Sequence, residues 1–455
     1  MTRLLSRLDI RAFPRRKKVH FYINIFIGIF IIFLFHFIEH TDLGENTINS
    51  GLDRFIRHET KGSVKTENND IFFIDIDHKT YVKWGEPLLT PRDKIAKMIE
   101  YAYKGNAKVI VIDILFENED CCTSGGDERL RDILTKIAED NASIKIIFPV
   151  GVGHDKKIKG NLFDDLIDKN PDFYRAIPSI SATSRDRVNR YWVTYTVAKG
   201  RDDKNCLLWG VPLLAAVLSE GVIDKLDDVE EELLKNHNSK KKHKDLRYEI
   251  NFGNENWVTV SSNTEDLYSQ RTRFLLIPPT QTGPVKYQSN LLLNRLTADD
   301  VKEQFDIAAN KKFYDSFKDK IVIIGNSSPD AGDIHLTPIG NMAGMYIIGN
   351  STYTIINGLQ LSPTLLYINI IIEIGLIISA SYLFLYFSSF TTKLLMTIAL
   401  WLLALPGFYF FSKSGVYFNF LLPVIGISIY EFMSTIEEDI GTKGIKQAMS
   451  NTDAC

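Results

Sequence analysis

The sequence predicts an α/β fold: a mostly parallel sheet covered by helices, forming one extracytoplasmic domain between membrane segments. Three observations predict it. Short apolar runs rich in Ile, Val and Phe, such as "IFFIDI" (71–76) and "KVIVIDILF" (108–116), alternate with amphipathic helical stretches. Near-continuous apolar strands separated by helices mark a parallel sheet buried on both faces. Long uncharged runs, by contrast, are confined to the two ends of the chain.

Residues 1–18 are basic, with Arg11, Arg15, Arg16, Lys17 and Lys18 clustered before the first apolar run. That run, 19–38, is 20 residues long and lacks Asp, Glu, Lys and Arg. At about 1.5 Å per residue it covers roughly 30 Å, one bilayer core. A cleaved leader has a shorter apolar stretch and a small-residue cleavage site, so 19–39 reads as a retained transmembrane helix. The outer domain then runs over 40–362. Within it, "TPRDKIAKMIEYAYKGNAK" follows the first strand as a helix. Thr90 serves as N-cap, Pro91 takes the first helical position and Gly105 is the stop. Ile95, Ala96, Met98, Ile99 and Ala102 form its apolar face.

The pattern continues after the second strand. "DERLRDILTKIAED" is a second amphipathic helix and "SIKIIFPVGV" a third strand. "NRYWVTYTVAK" alternates like a hairpin strand, and "LWGVPLLAAVLSEG" is a buried helix. The charged segment 224–247 reads as a surface insertion, and "KDKIVIIGNSS" supplies a late buried strand. No internal repeat stands out. Apolar runs at 365–387, 394–411 and 416–434 make three further transmembrane helices within 363–435, leaving 436–455 as a short tail. Pro406 and Gly407 bend the middle one. The basic N-terminus places both ends in the cytoplasm and 40–362 outside, in a multi-pass cytoplasmic (inner) membrane protein.

Formal net charge is −3, so no basic excess points to nucleic acid. The four cysteines are Cys121, Cys122, Cys206 and Cys455. The first three fall outside the membrane, where a bridge from Cys206 to Cys121 or Cys122 is expected. No CxxC or HxxxH pair supports zinc, and Cys455 lacks the spacing for prenylation.

Acids gather where the strands end. Asp75 and Asp77 close the first strand, Asp113 the second, and Asp330, Asp333 and Thr337 follow the last. In open α/β sheets, ligands sit beyond the carboxyl ends of the strands. Three readings compete for this rim. As phosphoryl chemistry, Asp75 and Asp77 resemble the DxDx[TV] motif of haloacid-dehalogenase-like phosphatases, but the hydroxyl of Thr80 arrives one residue late. As a pocket, the carboxylates hold a divalent cation or a cationic small molecule. As structure, Arg92 pairs with Asp77 or Asp113 and the acids cap helices. The structural reading asks least of these residues. His335 reads as a hydrogen-bonding loop residue. No cofactor is expected beyond that divalent cation, and the metal itself is unknown.

Five pieces together resemble the type-2 CHASE family, the bacterial extracellular sensor domains associated with cyclases and histidine kinases. They are "FFIDIDHKTY", "WGEPLLTPRDKIAKMIEYAYKGNAKVIVIDILF", "LWGVPLLAAVLSEG", "KDKIVIIGNSSPDAGDIHLTPIG" and "AGMYIIGNSTYTIINGLQL". The likeness spans about residues 50–362, and the family's plan of one helix before the domain and three after it matches. The family's closing motif is close to G-V-E-I-H-A-N; here Gly344 to Asn350 read GMYIIGN, without the acid and the histidine. Family members carry an output module after the last helix, whereas the tail here is too short for a catalytic domain. The resemblance therefore implies a non-enzymatic sensor, input or scaffold subunit that acts through a separate cytoplasmic or membrane output protein. The alternatives are a structural subunit of an envelope complex and a metal-dependent extracytoplasmic hydrolase at the rim. Membrane lipid is a partner in each case, and a homo-oligomer is compatible with each.

Glu373 sits inside the second apolar run. An intramembrane carboxylate normally faces a partner or a cavity. Asn369, His36 or a second copy of the chain are the partners expected for it.

Overall fold

In the computed structural model, the described residues are 15–386, with breaks at 40, 63–65, 68–69, 120–124, 141–142, 179, 183–185, 240–245, 254–255, 263–270, 277–290, 293, 302–314 and 364–365; beyond these, only 395 and 416–417 are described. The chain divides into two units, 1–53 with 362–455, and 54–361.

In the first unit, helix α1 (Arg15–Glu39) packs against a helix near the far end of the chain, Leu366–Tyr386. Phe21 meets Tyr382 edge-on at 6.5 Å, and His36 meets Glu373, so the two run antiparallel. Among the described residues one helix is long and apolar enough to cross a membrane, over Phe21–Ile38, against four spans expected. The second expected span falls on the Leu366–Tyr386 helix, whose apolar stretch Tyr367–Leu383 is shorter than that of α1. The third and fourth lie outside the described residues, apart from 395 and 416–417. Helix α2 (Asp42–Gly62) carries the chain from one unit into the other.

The second unit is built on a six-stranded sheet. Strand β1 (Ile71–Ile76) is buried along its whole length and leads into the short helix α3 (His78–Lys83). Helix α4 (Arg92–Lys104) buries all five apolar positions expected of it. Its N-cap is Pro91 rather than Thr90, because the Pro91 backbone is still extended and its carbonyl accepts from Lys94 and Ile95. Then come β2 (Val109–Asp113), α5 (Gly126–Glu139), β3 (Lys145–Pro149) and β4 (Phe173–Ala176).

The "NRYWVTYTVAK" segment forms two strands rather than one, Asn189–Trp192 and β5 (Tyr195–Lys199). The latter pairs antiparallel with β6 (Asn205–Trp209). Helix α6 (Val211–Glu220) is buried, as its composition requires. The charged segment that follows is not a mere insertion. It opens with α7 (Asp224–His237), which buries Leu226, Val229 and Leu233 on one face. Strands β7 (Arg295–Thr297) and β8 (Ile321–Asn326) return to the main sheet. The hairpin β9 (Ile334–Thr337) and β10 (Gly340–Ala343) leads into α8 (Gly344–Ile356), followed by α9, the Leu366–Tyr386 helix of the first unit.

The strand order is β7–β1–β8–β2–β3–β4, and every pairing is parallel. Alternate side chains of a strand face opposite sides. Phe72, Ile74 and Ile76 pack with Ile95, Ile99, Leu130 and Leu134 of α4 and α5. Phe73 and Asp75 face the other way, with Phe73 5.0 Å from the Tyr346 ring of α8. Each fully buried Ile or Phe contributes about 1.5–3 kcal/mol to folding, so the sheet is held from both sides. The carboxyl ends of its central strands are left to form the site.

Candidate functional site

The register of the sheet places Thr297, Asp75, Gly325 and Asp113 side by side on β7, β1, β8 and β2. Strands β1 and β2 are not neighbours, and β8 lies between them. Asp75 and Asp113 therefore share one face with only a glycine separating them. A Cβ at Gly325 would lie 2.7 Å from the Met345 Cβ and 3.3 Å from that of Asp113.

Asp75 is fully buried and closed off. Its Oδ2 accepts from Arg295 Nε at 2.7 Å and Nη2 at 2.6 Å, and from the Tyr346 hydroxyl at 2.7 Å. Burial and the adjacent carboxylate hold the Tyr346 pKa well above the usual phenol value, so it remains a donor. Burial opposes the charge on Arg295, but Tyr346, Asp75 and Asp77 outweigh it and the guanidinium stays protonated. Asp77 is the N-cap of α3. Its Oδ1 accepts from Thr80 N at 2.9 Å, and its Oδ2 lies 3.4 Å from Arg295 Nη2. A carboxylate so enclosed offers no approach to a phosphoryl group, which counts against Asp75 as a nucleophile.

Arg92 does not make the pairing expected of it. It is buried over the Phe116 ring at 4.5 Å, with Nη2 3.4 Å from the Asn118 carbonyl and Nε 3.7 Å from Asp127. The cation beside Asp75 and Asp77 is Arg295. It was not singled out from the sequence, because a three-residue strand carries no periodic signal. Tyr346 stands where the closing motif of the resembled family has its acid, and this is the one sequence signal that pointed to it.

A cavity of about 500 Å³ opens beyond the ends of β2, β3 and β8. Its polar lining includes Asp113, Asp330, Asp333, His335 and Arg92, and its apolar wall includes Leu88, Leu89, Leu115 and Ile348. Asp113 Oδ2 is occluded and has no hydrogen-bond partner among the described residues. Burial, then repulsion from Asp333, raise its pKa to about 8, with His335 pulling the other way. Its burial therefore favours the protonated acid.

Asp333 is held by two groups at the start of α8, the His335 ring and the Gly344 N–H. His335 Nε2 lies 2.8 Å from Oδ1, and Gly344 N donates to Oδ2 at 3.1 Å. The same N–H also reaches the Asp333 carbonyl at 3.1 Å. A Cβ on Gly344 would sit 2.3 Å from Asp333 Oδ2, so the approach needs glycine. A carboxylate at a helix N-terminus is favoured by the exposed N–H groups. Its hydrogen bond raises the His335 pKa, against the effect of burial. Asp330 lies 3.2 Å from His78 Nδ1 and accepts from Ser328. Thr337 is buried in the β9–β10 turn, donating to the Gly340 carbonyl at 2.6 Å, and does not line the cavity.

Cys206 carries a free thiol that donates to the Ala198 carbonyl across the β5–β6 hairpin at 3.4 Å. Burial raises its pKa. The bridge expected of it is not made at this end; Cys121 and Cys122 lie outside the described residues. In the first unit, His36 Nε2 lies 3.1 Å from Glu373 Oε2. Among the described residues, no group of three His, Cys, Asp or Glu is arranged to hold a metal ion.

In comparisons with protein families, residues 26–386 match the CHASE2 domain. Neither curated proteins nor solved structures gave a match.

Proposed function

The chain belongs to the CHASE2 domain family, a family of extracellular sensory domains, and from that premise we propose that it is a membrane-anchored sensor subunit signalling to a separate protein. The observation that carries this reading is the cavity at the carboxyl edge of the sheet. It sits where α/β sheets place ligands, and one of its carboxyl groups has an unpaired, occluded oxygen. A ligand there acts as a signal only by binding two states of the domain differently. The α1–α9 pair, joined by His36 and Glu373, is the element through which a change passes to a partner in or beneath the membrane.

Crosslinking of the full chain in native membranes tests this. A second protein should be captured, and its yield should change about twofold or more in Asp113→Asn, in line with a modest coupling energy. Recovery of the chain alone, or of a partner whose yield ignores Asp113, would overturn it. A second reading, a rigid assembly subunit, draws on the Asp75–Arg295–Tyr346 set, which is buried and hydrogen-bonded within itself. The hydrolase alternative is disfavoured by the same closure.

A further inference from the structure

Taking the cavity as the sensing site, we propose that its ligand is a small organic ammonium ion with an apolar body, its cation lying beside Asp113 and facing Asp333. The charges on the lining set this choice. Asp333 has His335 at 2.8 Å, and Asp330 has His78 at 3.2 Å. The Arg92 guanidinium is taken up by Phe116, the Asn118 carbonyl and Asp127. Asp113 is the lining acid without an ion-pair partner among the described residues, and its Oδ2 is shielded from water. A buried carboxyl with no counter-charge stays neutral. A cation brought to it supplies the missing counter-charge and displaces its proton.

The rest of the cavity selects the kind of cation. No three-ligand metal group exists among the described residues, which disfavours a bare divalent ion. Leu88, Leu89, Leu115 and Ile348 offer apolar surface to a hydrocarbon body, and a volume of about 500 Å³ suits a small organic molecule. An anionic ligand would instead face Asp113, Asp330 and Asp333 together.

Because the cation replaces a proton on Asp113, binding is linked to pH. The charged groups facing Asp113 are His335 from β9, Asp333 immediately before it, Asp330 from the preceding turn, and Arg92 from α4. His335 loses its proton as pH rises, which also favours a cation.

The experiment compares three probes that share a phenethyl body, on the full-length protein in lipid nanodiscs by calorimetry: phenethylammonium, 2-phenylethanol and 3-phenylpropionate. Phenethylammonium should bind, with affinity rising up to about tenfold per pH unit below about pH 8 and levelling above it. Asp113→Asn should weaken it by about tenfold or more, and the alcohol should bind at least fivefold more weakly. Tighter binding of the alcohol or the acid, still sensitive to Asp113→Asn, would overturn the ammonium assignment and leave the sensing cavity standing. Affinity that falls with rising pH would also overturn it. Absence of binding by all three probes would overturn it too, and the sensor reading would then stand or fall on the crosslinking result alone.

Discussion

Two aspartates stand at one level of the same sheet, on the same face, with Gly325 between them, and they live in opposite worlds. Asp75 is fully buried and held by two partners, Arg295 from the edge strand β7 and the Tyr346 hydroxyl from α8. Asp113 is less enclosed as a residue, but its carboxyl has no such partner and its pKa rises to about 8. Depth does not separate them; the presence of a cation does. A buried carboxylate with a good partner is structure, and one without a partner is chemistry held in reserve.

The hardest test of that contrast is Arg295→Ala. It leaves Asp75 buried without its cation and should cost about 3–5 kcal/mol in denaturant unfolding of the detergent-solubilised chain. A loss under about 1 kcal/mol would erase the distinction.

The converse substitution, Asp113→Asn, should stabilise near pH 8, by up to about 5 kcal/mol. In the folded chain Asp113 holds its proton up to about pH 8. The unfolded chain releases that proton in the ordinary carboxylate range, near pH 4. Over that window the native state binds more protons, so stability falls as pH rises. Asparagine removes this slope, and the gain should vanish toward about pH 4. His335 adds a slope of the same sign. Its raised pKa means that the stability from its Asp333 contact is present below the ordinary histidine value and lost as pH rises through the folded one. A pH profile for Asp113→Asn as steep as that of the unsubstituted protein would assign the whole slope elsewhere.

The smallest effect belongs to Asp77. Asp77→Ala removes the N-cap of α3 and should cost about 1 kcal/mol in denaturant unfolding. A loss under about 0.3 kcal/mol would show that this cap contributes nothing to the fold.

The sequence revealed the parallel strands and their helices because each strand is a continuous apolar run and each helix an amphipathic one. It also showed that acids end those strands. Strand order could not be read, and strand order decides which acids face each other. The insertion of β8 between β1 and β2 puts Gly325 between Asp75 and Asp113. Nor could the direction of two arginines be read. Arg92 opens an amphipathic helix and drew attention, whereas Arg295 lies on three residues of strand that resemble loop. Glu373 was recognisable because charge is scarce in an apolar helix, and His36, one of its expected set, faces it at 3.1 Å.

The strand order also governs time. Both neighbours of β1 in the sheet, β7 and β8, are made more than two hundred residues after it. As the chain emerges, β1 has both edges open and β2 can pair only with β3. The centre of the sheet closes last, when residue 326 is available. Loop closure over such separations is slow, and an apolar strand with open edges is the segment most exposed to mispairing. A nascent chain halted before β8 would therefore carry an apolar central strand with both edges unpaired, the most mispairing-prone state of this sheet.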